Sequence, residues 1–174
     1  MVIRKNNRCV KIILPNGKTA DVLSSVLDEI SNWTQDECDK PESGGYIVGY
    51  QHKITGNITL EAVSHPYKLD NRDRIHFNIR DPRHDSFLKN SKKQKSYYLG
   101  TWHTHPQKYP VPSSIDWNDW NETLHSEITG SKYAFFIIAG TTNWRMWIGD
   151  MMTGIIVEGY ECSKDKEGIY LKGE

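Results

Sequence analysis

The alternation of hydrophobic and polar positions along the chain predicts short β-strands interrupted by a few helices. Apolar residues at helical spacing predict a helix over residues 22–33. The continuous apolar run at residues 133–139 is typical of a central strand that is buried on both faces. The other predicted strands, recognised by alternating or β-rich composition, cover residues 9–14, 46–50, 57–64, 97–102, 144–148 and 155–160.

Strands and helices in mixed order predict an α/β fold, a three-layer α/β/α domain around a mixed sheet. We expect residues 1–174 to form one domain, with a loosely held charged tail from about residue 163. The Asp81-Pro82 pair is a favourable helix start, and the helix after it should turn Phe87 and Leu88 inward.

Composition and charge argue against several classes of function. The formal net charge is zero, which argues against a general electrostatic binder of nucleic acid. Three cysteines without a Cys-x-x-Cys pair indicate a reducing compartment. No run has the length of a signal-peptide core or a membrane span, so we expect a soluble cytoplasmic protein without a membrane partner.

Two histidines one residue apart follow the predicted strand over residues 97–102. If that strand continues, His103 and His105 point to the same face, because side chains alternate along a strand. Prolines then end the strand, and Asp116 falls in the first turn of the next helix. Two imidazoles and one carboxylate are a zinc-type ligand set with a fourth position open for water.

Each of these residues also has an ordinary structural explanation. Ser113 followed by Asp116 is a capping-box pattern, and the helix that it opens is expected to end at Gly130. Upstream, Glu42 could be a solvated loop acid, although the Gly-Gly pair after Ser43 fits a backbone that approaches something closely. A functional site is favoured over these explanations because Ser113 and Asp116 follow the two histidines at fixed distances and an isolated acid, Glu42, lies upstream. The expected apolar stripe of the helix comprises Trp117, Trp120, Leu124 and Ile128.

The combined pattern resembles the motif of the JAMM (MPN-plus) zinc isopeptidases. It consists of an acid before Gly-Gly, a His-x-His-Pro segment, a serine after seven intervening residues and an aspartate three positions later. The surrounding sequence, roughly residues 40–160, is similar to the prokaryotic JAB branch, which includes the deconjugating peptidases of bacterial CBASS antiphage operons. This resemblance implies a cytidine-deaminase-like arrangement of the layers. The five matching positions, without a departure, are Glu42, His103, His105, Ser113 and Asp116.

The resemblance implies an amide hydrolase that forms no covalent intermediate. Zinc held by His103, His105 and Asp116 would act as a Lewis acid and acidify water. Glu42 would take a proton from the attacking water and deliver it to the leaving amine. Ser113 would donate a hydrogen bond to the oxyanion of the tetrahedral intermediate.

The resemblance also implies the substrate, an amide or isopeptide bond after the C-terminal residue of a ubiquitin-like tail or of a protein conjugated through its own C-terminus. In the antiphage operons that protein is a CD-NTase, a cGAS-like nucleotidyltransferase, and E1-like and E2-like enzymes make the conjugate. Related systems attach a ubiquitin-like protein to phage proteins, and the sequence does not separate the two. The alternatives are a hydrolase that processes a sulfur-carrier protein and a non-catalytic MPN scaffold.

Further expectations concern residues around the motif. Trp102 should lie on the strand face opposite the histidines and belong to the core. Residues 65–80 are either a solvated loop or a segment that contacts the partner protein. In the second case, charge reversal at Arg72 and Arg74 should raise KM for a protein conjugate and not for a short tail peptide. Histidines without matching spacing should not bind the metal: His52, His65, His76, His84 and His125.

Overall fold

A mixed eight-stranded β-sheet forms the middle layer of the protein. The computed structural model describes residues 9–164 and 170–172. In chain order the strands of this sheet are β1 (Val10–Ile13), β2 (Thr19–Val22), β3 (Gly44–Gln51), β4 (Ile58–Val63), β7 (Tyr97–Thr104), β8 (Tyr133–Ala139), β9 (Trp144–Asp150) and β10 (Ile156–Gly159). Two small hairpins pair β5 (Asn71–Arg72) with β6 (Phe77–Asn78), and β11 (Cys162–Lys164) with β12 (Tyr170–Lys172).

The strand order in the large sheet is β1-β2-β4-β3-β7-β8-β9-β10. The pairs β2–β4 and β7–β8 are parallel, and the other described pairs of this sheet are antiparallel. The helices are α1 (Ser24–Ser31), α2 (Arg83–Lys93) and α3 (Ser114–Ser126). The mixed sheet confirms the predicted fold class.

Helices cover both faces of the sheet and give the predicted three layers. Ile30 of α1 packs in the larger hydrophobic core with Phe135 and Ile137 of β8. Trp120 of α3 packs in a smaller core with Phe136. Because side chains alternate along β8, these two cores lie on opposite faces of the sheet.

β8 is buried along its whole length, as its continuous apolar run predicted. It pairs in parallel with β7, so that His103 lies beside Ile138 and Trp102 lies beside Ile137. Trp102 therefore falls on the face opposite His103, where it is 1% exposed and its Nε1 donates to the Ser64 carbonyl at 2.8 Å. The prediction of a core position for Trp102 is confirmed.

The predicted helix over residues 22–33 begins two residues too early. Val22 belongs to β2 and lies opposite Val10 of β1. Leu23 is extended, with φ −69° and ψ 153°, and α1 begins only at Ser24. A four-residue strand and the first turn of a helix can carry the same apolar pattern, and here pairing with β1 and β4 decides between them.

α3 ends one turn earlier than its apolar spacing predicted. Its last residue is Ser126, and Ile128 is 90% exposed instead of extending the apolar stripe. The Gly130 N–H donates to the Tyr98 carbonyl at 2.8 Å, and a Cβ at position 130 would meet the Tyr97 Cβ at 2.4 Å. Gly130 therefore permits a close approach to β7, and it does not end the helix.

The predicted helix after Asp81-Pro82 is present as α2, but its buried residue was not anticipated. Phe87 and Leu88 are only half-buried, whereas His84 is fully buried. His84 Nε2 lies 2.7 Å from Asp70 Oδ2, and His84 Nδ1 lies 2.8 Å from Ser64 Oγ. A single buried histidine in a polar helix leaves no apolar periodicity that a sequence could reveal.

Part of the charged tail is regular, because residues 162–164 and 170–172 pair as β11 and β12. The other tail residues, 165–169 and 173–174, lie outside the described residues. The assignment of residues 1–174 to one domain stays a prediction. Among the described residues, no helix combines the length and the apolar character that crossing a membrane requires.

Candidate active site

The end of β7 and the start of α3 bring three predicted metal ligands together. His103 Nε2 lies 3.1 Å from His105 Nε2. Asp116 Oδ1 lies 3.0 Å from His103 Nε2, and Asp116 Oδ2 lies 3.3 Å from His105 Nε2. Ligand atoms about 2.0–2.2 Å from a tetrahedral zinc ion lie roughly 3.3–3.6 Å from one another. The three side chains are spaced a few tenths of an ångström closer than that, so small side-chain shifts would accommodate such an ion.

Glu42 joins this cluster from the segment that enters β3. One carboxylate oxygen of Glu42 and one ring nitrogen of each histidine lie within 4.8 Å of one another, a grouping that could itself hold a metal ion. The register of β3 against β7 explains the approach, since Gly44 pairs with His103. Glu42 is only 7% exposed, and this burial raises the pKa of its carboxyl against the opposing effect of the two histidines.

The Gly-Gly pair allows the backbone to approach its neighbours closely, as the sequence predicted. A Cβ at Gly44 would lie 2.6 Å from the Trp102 carbonyl oxygen and 2.6 Å from the Phe77 ring. A Cβ at Gly45 would lie 2.2 Å from the Ser64 carbonyl oxygen. A larger residue at Gly44 would push this segment away from β7, and a larger residue at Gly45 would push it away from Ser64.

The hydrogen bonds around His105 turn an unprotonated nitrogen toward the cluster. Gln107 Oε1 accepts from the Val111 N–H at 2.9 Å, which identifies that atom as the amide oxygen. His105 Nδ1, 3.4 Å from the same oxygen, must then be the donor. In neutral His105 the Nε2 lone pair therefore faces His103 and the Asp116 carboxylate, an arrangement that a cation stabilises.

The electrostatics of the cluster also favour a positive charge. Burial by itself lowers the pKa of His105, but the Asp116 and Glu42 carboxylates outweigh it, and the pKa is raised. Burial by itself raises the pKa of Asp116, but hydrogen bonds from His103 and His105 hold it well below the usual range. The Asp116 carboxylate is therefore anionic at neutral pH, and the cluster attracts a cation.

Ser113 opens α3 in the capping box that the sequence predicted. Its Oγ accepts from the Asp116 N–H at 3.1 Å, and Asp116 Oδ2 accepts from the Ser113 N–H at 2.7 Å. The cap therefore fixes the orientation of the Asp116 carboxylate. In that cap the Ser113 oxygen acts as an acceptor, so its own O–H remains able to donate into the cleft that Ser113 lines.

A cleft of about 490 Å³ opens over the cluster. One wall is the β5–β6 hairpin, which contributes Ile75 and Phe77. The other is formed by the connection to α3, which contributes Val111, and by the first turn of α3, which contributes Ile115. Ile75 is 67% exposed, and Val111 and Ile115 are more than half exposed. This volume and apolar rim fit an extended peptide segment.

Sequence reasoning missed the residues that hold the Glu42 segment in place. Arg72 was expected at the partner surface, but its guanidinium turns inward and its Nε donates to the Glu42 carbonyl at 2.9 Å. Gln35 is buried, accepts from Thr104 Oγ1 and donates to the Arg74 carbonyl. No periodicity or motif marks either residue, because most of their partners lie some 30 or more positions away in the chain; the nearer one is the Lys40 carbonyl, to which Gln35 also donates.

Within the described part of the chain, the other five histidines lie outside the metal-competent grouping of Glu42, His103 and His105, although His76 lines the same cleft. Arg74 is exposed, so its proposed contact with a partner stays a prediction.

Comparison with known proteins identifies the family. Residues 23–149 match the family model described as prokaryotic homologs of the JAB domain. The chain belongs to this family. Two similar proteins are named CD-NTase/cGAS isopeptidase, one from Escherichia coli (strain TW11681) and one from Vibrio cholerae serotype O1 (strain ATCC 39315 / El Tor Inaba N16961). Each is 27% identical over 131 residues, which cover 74% of this chain and 79% of the relative.

A solved structure supports the same fold. The solution structure of a Desulfitobacterium hafniense protein superimposes with a TM-score of 0.54 at 18% identity, over 79% of this chain and 87% of that one. The family match and this superposition confirm the JAB arrangement that the motif had implied.

Proposed function

We propose that this JAB protein is a zinc-dependent isopeptidase. It hydrolyses the amide or isopeptide bond after the C-terminal residue of a ubiquitin-like tail, or of a protein conjugated through its own C-terminus. The observation that carries the proposal is the convergence of His103, His105 and Asp116 at 3.0–3.3 Å, with Glu42 beside them in an open cleft.

The donor set suits zinc in chemistry as well as in spacing. Two imidazoles and one carboxylate are ligands that zinc accepts, and three protein ligands leave one position open. When bound, zinc would supply a Lewis acid that polarises the substrate carbonyl and acidifies water.

Glu42 is the residue that moves the proton. Its carboxylate accepts a proton from the attacking water, whose oxygen forms a bond to the carbonyl carbon. The same carboxyl then returns the proton to the nitrogen as the C–N bond breaks, giving a carboxylic acid and an amine. The raised pKa of buried Glu42 suits a group that must both accept and release a proton.

Ser113 and the cleft walls complete the site. The Ser113 O–H donates to the oxyanion of the tetrahedral intermediate, while its oxygen caps α3. The apolar side chains of Ile75, Val111 and Ile115 hold the tail and exclude water around the reacting carbonyl.

The names of the relatives support one class of substrate. Two of them are named CD-NTase/cGAS isopeptidase, and we propose that this protein acts on CD-NTase conjugates. E1-like and E2-like enzymes would make these conjugates in the cytoplasm, in antiphage defence. Processing of a sulfur-carrier protein is the alternative substrate, and the complete ligand set leaves little reason for a non-catalytic scaffold.

The test is incubation of the zinc-loaded protein with a CD-NTase conjugate joined to a lysine side chain. We expect a free C-terminal carboxylate and a free lysine amine by intact mass, and no products after chelation. Glu42→Gln serves as the control. Equal turnover by the chelated protein, or cleavage of a sulfur-carrier fusion alone, would contradict the proposal.

A further inference from the structure

The β5–β6 hairpin holds the segment that carries Glu42, and it therefore affects where the Glu42 side chain lies. We propose that Arg72 is a positioning residue that fixes where the Glu42 carboxylate stands over the reacting carbonyl. The proposal rests on the proposed function of Glu42 as the proton-transfer group.

Arg72 contacts three successive residues with one guanidinium. Its Nε donates to the Glu42 carbonyl at 2.9 Å, and its Nη2 donates to Ser43 Oγ at 2.6 Å. Nη2 also lies 3.4 Å from the Pro41 carbonyl, a longer contact. The guanidinium sits 5.7 Å from the centre of the Trp33 ring, which limits its movement on that side.

The hairpin backbone holds Glu42 a second time. The Glu42 N–H donates to the Asp73 carbonyl at 2.7 Å. Both backbone polar groups of Glu42 are therefore bound to adjacent residues of the hairpin, Arg72 and Asp73. With its backbone fixed at both ends, Glu42 directs only its side chain toward His103 and His105.

The same hairpin also lines the substrate cleft. Ile75 and Phe77 form part of the cleft wall, and the Phe77 ring rests on Gly44, two residues after Glu42. A tail that presses on this wall therefore acts on the element that holds Glu42. Misplacement of a catalytic group by about 1 Å can cost roughly 10² in rate, so this support matters for turnover.

Arginine is required here for its shape. Two nitrogens of a rigid fork reach two different acceptors, whereas a lysine ammonium is a single point charge on a flexible stem. The acceptors are a carbonyl and a hydroxyl, not the Glu42 carboxylate. We therefore expect Arg72 to affect kcat through placement and to leave KM unchanged.

The experiment compares Arg72→Gln and Arg72→Lys with the matched control Arg80→Gln, whose side chain is exposed on the same segment. Substrates are a short isopeptide-linked tail peptide and the full conjugate. We expect a 10–100-fold loss of kcat in Arg72→Gln on both substrates, a partial recovery in Arg72→Lys, and wild-type kinetics in the control. A rise in KM confined to the full conjugate would overturn the proposal.

A double-mutant cycle separates positioning from general support of the fold. If Arg72 acts through Glu42, then Arg72→Gln should cost nothing further in Glu42→Gln protein, measured in single turnover. Independent, multiplying losses would overturn the proposal. Faster amide exchange at Glu42 and Ser43, with unchanged zinc content, is the expected result that does not depend on activity.

Ser43→Ala keeps the proposal testable should Arg72→Gln fail to fold. It removes the Ser43 Oγ acceptor and leaves the Pro41 carbonyl to Nη2, so we expect a smaller loss of kcat than in Arg72→Gln, with a modestly lower melting temperature. Unaltered kcat in both Ser43→Ala and Arg72→Lys would overturn the proposal. An inactive wild-type protein would instead contradict the proposed function, so the two failures are distinguishable.

Discussion

Two clusters with little exposed surface join histidine to aspartate among the described residues, and they differ in how completely their polar atoms are satisfied. In one, His84 Nε2 lies 2.7 Å from Asp70 Oδ2 beneath α2. In the other, His103 and His105 meet Asp116 at 3.0 Å and 3.3 Å beside the cleft. The first pair has side chains with no exposed surface, and the second retains 12–13%.

The His84 cluster has a donor for every acceptor. Ser64 Oγ accepts from the Tyr46 N–H, so its hydroxyl donates to His84 Nδ1, and His84 Nε2–H donates to Asp70. Burial by itself raises the pKa of Asp70, but the hydrogen bonds that it accepts lower the pKa. Its backbone donors are the N–H groups of Tyr67, Arg80 and Asp81.

The His103 cluster is satisfied only when it holds a positive charge, because neutral His105 turns its Nε2 lone pair toward the Asp116 carboxylate. Two ring nitrogens face each other at 3.1 Å beside two carboxylate oxygens, and His105 Nδ1–H is directed away toward Gln107. In a folded protein, clustered polar atoms that lack hydrogen-bond partners are typical of a ligand-binding site. Burial and complete pairing mark a structural cluster, whereas clustered acceptors open to a cleft mark a candidate functional one.

The largest effect should come from removing a ligand. His103→Ala should lose the bound zinc equivalent and all chelator-sensitive turnover, because two remaining ligands cannot hold the ion. Metal analysis of the purified variant is the measurement. His84→Ala is the paired control and should keep full zinc. Full zinc in His103→Ala would place the metal elsewhere.

Glu42→Gln should lower kcat by roughly 10²–10⁴, the usual contribution of a positioned general base. The zinc content should not change, because Glu42 acts as a base and not as a ligand. Single-turnover kinetics with metal analysis on the same sample test both statements. Loss of zinc from this variant would make Glu42 a ligand, as the grouping of Glu42 with both histidines would allow.

Ser113→Ala should lower kcat by roughly 10²–10³ through loss of the oxyanion donor. Loss of the helix cap should also cost about 1 kcal/mol of unfolding free energy. Melting and kcat measured on one preparation separate the two roles. A lower melting temperature with normal kcat would leave Ser113 as a cap alone.

His84→Ala should lower the free energy of unfolding by about 1.5–3 kcal/mol, the range for a hydrogen bond to a charged group. This is a change of roughly 10–100-fold in the folding equilibrium constant. Denaturant unfolding measures it, with the exposed His52→Ala as the matched control. Unchanged stability would mean that the Asp70 network does not hold residues 65–81 on the sheet.

The smallest effect is a pH dependence that Glu42 adds to the stability of the metal-free protein. Its pKa is raised by burial, so its contribution is present below the unfolded pKa of about 4.3 and is lost as the pH rises through the folded value. Metal-free Glu42→Gln should therefore be more stable than the metal-free wild type at pH 7 and should match it near pH 4. If the stabilities of the two proteins change in parallel between pH 4 and pH 7, burial does not raise the pKa of Glu42.

Local chemistry in the sequence determined much of the site and the centre of the sheet. The apolar run of β8 matches its observed bounds, and the His-x-His spacing placed two imidazoles on one face of β7. The capping box at Ser113 and Asp116 followed from residue type and spacing alone. Each of these features depends on neighbours within a few positions, which a sequence displays directly.

Only the tertiary structure decided the features that depend on distant partners. β2 exists because β1 and β4 flank it, and Gly130 is needed because Tyr97 packs against it. Arg72 could not be assigned from the sequence, since an arginine in a polar segment is as compatible with solvent as with the Glu42 carbonyl. The sequence thus determined which groups can do the chemistry. The fold decided which groups hold them in place, because that depends on contacts between segments that local patterns do not specify.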